Sequence, residues 1–168
     1  MFGLLLLVRG VVPLLKTVTA FTLGHSVTLS LAALGFVSLP TGPLELAIAL
    51  TVFVLALELA RRELRPEAPL RRFPGRVAFA FGLLHGLGFA GARAEVGLPQ
   101  ADLPLALLAF NTGIELGQLA FVAVVVSARQ VAAEALGRLP RWIEAVPVYA
   151  LGSLSAMWCL QRAVTLWD

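Results

Sequence analysis

Leu103–Ala128 reads LPLALLAFNTGIELGQLAFVAVVVSA, an apolar stretch with one ionisable side chain, Glu115. About 20 apolar helical residues cross the hydrocarbon core of a bilayer, so this stretch is long enough to span it. Its strongly polar side chains are Asn111, Glu115 and Gln118, spaced i, i+4, i+7. At about 100° per residue they form one narrow stripe on a helix. The apolar run lacks the strict alternation of a barrel strand. Backbone in lipid must satisfy its own hydrogen bonds, which leaves the helix.

Four more blocks of similar length lie around it. They run over residues 16–37, 43–60, 77–96 and 146–166, and with 103–128 they predict an all-α bundle of five full spans in one transmembrane domain. Met1 to Val8 is apolar but too short to span, and reads as the last two turns of a helix. The breaks are local. Leu39-Pro40-Thr41-Gly42-Pro43 is a turn with proline at a helix start. Residues 61–76 form a charged loop with Pro66, Pro69 and Pro74. Gly97 to Pro104 is a polar turn with Asp102 as N-cap. Arg129 to Glu144 is a mixed polar linker with room for a short interfacial helix.

Composition agrees with this class. The 168 residues are 59% hydrophobic and 14% charged, against about 25% charged in soluble domains. The mean hydropathy is +0.89. A net charge of +3 does not signal nucleic acid here, because the arginines sit in the short loops. There they set topology and meet anionic lipid. Arg9, Lys16, the six arginines from Arg61 to Arg76, and Arg129, Arg138 and Arg141 fall on one side of the five spans. Only Arg93 and Arg162 fall on the other. The expected location is the inner membrane, multi-pass, with the C-terminus outside the cytoplasm. The single cysteine, Cys159, forms no intrachain disulfide and reads as a small buried hydrophobe.

Two segments repeat at a separation of sixty residues: Phe21-Thr-Leu23-Gly-His25 and Phe81-Gly-Leu83-Leu-His85. Each is followed one span later by a glutamate, Glu45 and Glu115, which suggests a parallel repeat of residues 17–60 and 77–128.

Ionisable groups at bilayer depth are costly and face a bundle interior or a wet cavity. The two histidines, His25 and His85, and Glu115 are the main candidates. Imidazole with carboxylate suits borderline divalent metals such as nickel, cobalt and zinc. A shared site of His25, His85 and Glu115 is therefore expected, with Thr22, Ser26, Asn111 and Gln118 lining the path. Thr22, His25 and Ser26 are expected to share a face. Packing hydrogen bonds alone would explain the same residues. Glu45 lies in the first turn of its helix, where the dipole favours a carboxylate, and Glu58 lies near the cytoplasmic end.

Four stretches resemble the HupE/UreJ family, in particular its second subgroup: Thr19-Ala-Phe-Thr-Leu-Gly-His25-Ser-Val-Thr-Leu-Ser, Leu44-Glu45-Leu-Ala-Ile-Ala-Leu-Thr51, Phe81-Gly-Leu-Leu-His85-Gly-Leu-Gly-Phe-Ala90 and Phe110-Asn111-Thr-Gly-Ile-Glu115-Leu-Gly-Gln118. The resemblance implies a nickel or cobalt permease tied to hydrogenase and urease maturation. His25, His85, Asn111, Glu115 and Gln118 would line its path. It implies no prosthetic group, with Ni2+ or Co2+ as transported substrate. Its partners would be the lipid bilayer and the metal ion, with homo-oligomerisation open. Members of this subgroup usually begin with a further helix carrying Gly-x-Asp-His-Leu-Leu-Phe. Only Phe2-Gly-Leu-Leu-Leu-Leu stands here, so the expectation is a misplaced start or a fragment.

Two other classes compete. A non-transporting assembly or partner subunit would show the same stripes. An intramembrane enzyme is disfavoured, since two histidines are too few for a His-rich di-iron centre and His-Glu-x-x-His is absent.

Overall fold

The computed structural model describes residues 2–8, 10–61, 69–88, 103–136 and 141–166. The regular structure among these residues is all helical, with no strand. The helices are α1 (Phe2–Leu7), α2 (Val11–Ala33), α3 (Thr41–Ala60), α4 (Pro69–Arg72), α5 (Pro74–Gly88), α6 (Leu103–Leu136) and α7 (Arg141–Val164). Two of them, α3 and the Pro104–Ala132 part of α6, are long and apolar enough to cross a membrane.

Helix α2 starts and stops earlier than residues 16–37. Gly10 takes a left-handed φ of 97°, which turns the chain from α1 into α2. Pro13 falls in the first helical turn, where its missing N–H has no partner to lose. At the other end Gly35 has φ 81°. Its N–H donates to the Ala32 carbonyl at 3.1 Å, and the Phe36 N–H donates to Leu31 at 2.9 Å. This is a Schellman closure, and it ends α2 four residues before Val37.

The other boundaries shift for similar reasons. Helix α5 begins at Pro74 rather than 77, because proline suits a first turn. The rest of the expected span, 89–96, lies outside the described residues, as does the proposed cap Asp102. Helix α6 does not stop at Ala128. Arg129, Gln130, Ala132 and Glu134 are good helix formers, so it runs on to Leu136. The next helix begins at Arg141, directly after Pro140, and not at Val146. The expected polar linker is thus mostly helix.

The contacts fix the directions. Gly24 lies against the backbone of Phe79 and Leu83, Gly82 against Phe21 and His25, and Gly86 against His25 and Thr28. Rising numbers meet rising numbers, so α2 and α5 run parallel, in the most extensive helix contact among the described residues. The repeated segments Phe21–His25 and Phe81–His85 lie on these two touching helices. Helix α3 is antiparallel to α5: Ile48 meets Gly88, and Leu55 and Leu59 meet Ala78. Helix α7 is antiparallel to α3, with Leu166 near Gly42, Arg162 bound to Glu45 and Gly152 facing Ala56. Helix α6 is antiparallel to α2. Leu14 and Val18 pack on Val122, while Leu34 lies near Pro104. Lys16, Arg61, Arg72 and Arg76 therefore gather at one end of the bundle.

The core is formed where α2 and α5 meet and under α1. Leu4, Leu55, Leu59 and Ala78 make one buried cluster. The outer faces of α6 and α7 are apolar and exposed, as at Leu105, Val124, Tyr149 and Leu160.

Candidate functional site

The three glycines at the α2–α5 crossing, Gly24, Gly82 and Gly86, have no space for a side chain. A Cβ on Gly24 would strike the Phe79 carbonyl, one on Gly82 the Phe21 carbonyl, and one on Gly86 the His25 carbonyl and the Thr28 hydroxyl. Such close approach is what small residues permit between helices in an apolar medium. Thr28 uses it. Its Oγ1 donates across the interface to the Leu83 carbonyl at 2.7 Å.

This crossing carries both histidines. His25 is buried on α2. His85 on α5 reaches α3, where its Nε2 lies 3.1 Å from Thr51 Oγ1. Phe21 links the two. Its ring stacks on His25 at a centroid distance of 6.2 Å and meets His85 edge-on at 5.5 Å. The imidazoles thus share one aromatic neighbour.

Glu115 lies elsewhere. It sits on α6 and accepts a hydrogen bond from Thr19 Oγ1 of α2 at 3.1 Å. One turn on, Gln118 Oε1 accepts from Thr22 Oγ1 at 2.9 Å. Asn111, Glu115, Thr22 and Ser26 line a cleft between α2 and α6, walled otherwise mainly by leucines. The polar stripe of α6 therefore does face α2.

The expected shared site is divided. Among the described residues, no group of three or more His, Cys, Asp or Glu side chains is arranged to hold a metal. His25, His85 and Glu115 do not converge. The physical reason is the helical phase of α2. Thr19, Thr22 and Ser26 fall within about 60° of one another, whereas His25 stands about 60° beyond Thr22 and about 100° from Ser26. Thr22 and Ser26 open on the cleft, and His25 turns into the bundle, so the expected common face of these three is split.

Residue patterns had not marked Phe21, Thr19 or Thr51 as site residues. Thr19 was the most accessible of these, because it extends the Thr22–Ser26 face by one turn. The partner of Glu45 was also unforeseen: Arg162 Nη1 lies 3.2 Å from Glu45 Oε2. Both side chains are partly exposed, so the pair contributes about 0–1 kcal/mol and ties the start of α3 to the end of α7.

No curated protein and no solved structure matches the chain. A family model described as HupE / UreJ protein matches residues 1–162, and that family is associated with nickel and cobalt uptake or an accessory role in it. With nearly its whole length matched, the chain belongs to the HupE/UreJ family.

Proposed function

We propose that the chain is an inner-membrane permease for a divalent transition metal of the nickel and cobalt type, and that it performs no covalent chemistry. In this reading α2, α3, α5, α6 and α7 are five spans, and the C-terminus lies outside the cytoplasm. The alternating helix directions support it, as does the gathering of Lys16, Arg61, Arg72 and Arg76 at one end. The family association supplies the substrate class.

The observation that carries the reading is the pair of imidazoles around Phe21, His25 buried and His85 partly buried, at the close α2–α5 crossing. Neutral imidazole is a good donor for borderline metals. A permeation site must also release its ion, so two donors without a closed cage are suitable. Glu115, with Thr22, Ser26 and Asn111, lines a separate polar cleft between α2 and α6, and Gln118 is bonded to Thr22.

The test is metal influx into liposomes that hold a metal-sensing dye and carry the purified chain. Nickel and cobalt influx above that of empty liposomes is expected, and His85→Ala should lower it by about tenfold or more. Influx equal to empty liposomes overturns the proposal. Equal influx for wild type, His85→Ala and Glu115→Gln removes the residue assignment.

A second reading is a membrane assembly subunit. The separation of Glu115 from the histidines favours it, since such a protein needs no continuous ligand path. In that case the liposomes stay dark while the chain co-purifies with a second membrane protein.

A further inference from the structure

The α2–α6 cleft holds chemistry that the histidine pair does not use. It encloses about 620 Å³, running from Leu34 and Pro104 at one end to Thr22 and Leu119 at the other. Its polar lining among the described residues is Thr22, Ser26, Ser30, Asn111, Thr112 and Glu115. All of them offer oxygen, and the lining includes neither imidazole nor thiol. Oxygen donors select hard cations, whereas imidazole suits the borderline metals. The ion that meets the histidines and the ion that meets this cleft are therefore different in kind.

Charge narrows the choice. Glu115 is the one ionisable residue of the lining among the described residues. In a cleft walled by leucine, one carboxylate balances one positive charge. A divalent ion would keep an uncompensated charge there, which is costly in an apolar medium. A proton would need only the carboxylate. The neutral oxygens are what a dehydrated metal cation requires and a proton does not. The Asn111 Oδ1 is buried and accepts no hydrogen bond among the described residues. Buried acceptors without a donor are rare and ask for an explanation. Asn111 stands one helical turn from Glu115 and on the same cleft.

We propose that the α2–α6 cleft binds a sodium ion, held by Glu115 and Asn111 with hydroxyl oxygens of Ser26 and Ser30, and that this ion drives the metal uptake. The Leu34 and Pro104 end of the cleft lies opposite the end that carries Lys16, Arg61 and Arg76. In the five-span arrangement that is the outer surface, where sodium is abundant. The driving role rests on the permease reading, whereas the binding site itself does not.

The closing experiment has two arms. In the first, radioactive sodium is bound to the purified chain in detergent. Saturable binding is expected, displaced by unlabelled sodium and not by potassium. Glu115→Gln and Asn111→Leu, checked for wild-type helicity, should each lower it about tenfold or more. Gly113→Ala, on the opposite side of α6, should leave it unchanged. Wild-type binding no greater than that of Glu115→Gln overturns the site. In the second arm, nickel influx into liposomes is compared with sodium or choline outside. Faster influx with sodium supports coupling. Influx indifferent to sodium, or driven by a proton gradient alone, overturns the coupling while permease activity stands. Sodium binding with no nickel influx overturns the permease reading and leaves the site in place.

Discussion

Toward α5, helix α2 presents Gly24 and the buried Thr28; toward α6 it presents Thr19, Thr22 and Ser26. The first face is closed by backbone. Glycine on one helix lies against carbonyl on the other, and the Thr28 hydroxyl bridges what remains. The second face is held by long side chains that reach across and leave a cleft of about 620 Å³. The same helix thus supplies a rigid seam on one side and a polar opening on the other. The difference lies in side-chain size. Where Gly82 and Gly86 face α2 the axes close up, and where Glu115 and Gln118 face it they stand apart. Helix α6 has two glycines of its own, Gly113 and Gly117, but they point away from α2 into open space.

The largest effect is expected at the seam. Gly82→Val forces a branched side chain into the Phe21 carbonyl and should cost about 3 kcal/mol. Detergent titration of helicity measures it, and a variant as stable as wild type would break the account of a backbone-filled crossing. Next comes Thr28→Val, which removes the bridge to Leu83 at nearly constant volume. An interhelical bond in an apolar medium contributes about 0.6 kcal/mol and at most about 1.7. Thr22→Val on the cleft side loses the bond to Gln118 and should fall at the lower end of that range. Comparing the two by the same titration sharpens the contrast between the faces. An effect of similar size but opposite sign belongs to Gly113→Ala. With nothing near its Cβ, it should stabilise α6 by about 0.5–1 kcal/mol. Destabilisation there would mean that the outer face of α6 is filled in the folded protein.

Much of this arrangement was readable from residue order. The all-helical class followed from apolar runs without alternation, and the i, i+4, i+7 stripe of α6 correctly announced one polar face. Helix ends were harder. Gly35-Phe36 continues an apolar block, and only backbone geometry reveals it as a stop. The continuation of α6 to Leu136 was hidden by polarity, because Arg129 and Glu134 read as loop while favouring helix. The site was legible residue by residue but not as a constellation. His25 and Ser26 are sequence neighbours, yet successive helical residues point about 100° apart. Which neighbour meets which face depends on the α5 and α6 contacts, and these are set by pairs 55 and 96 residues apart. Phe21 shows the same limit. Its motif was visible, but its place between two imidazoles exists only once α2 and α5 touch.

The parallel contact of α2 and α5 has an electrostatic consequence. Each helix carries about half a positive charge at its N-terminus and half a negative charge at its C-terminus. Two parallel helices in backbone contact bring like ends together, with little dielectric between them to weaken the repulsion. Helix α3 lies antiparallel on α5, and α6 lies antiparallel on α2. Each sets an end of opposite sign beside one member of the pair. The four helices together cancel most of their axial field, which lets two of them touch along their backbones without polarising the apolar interior.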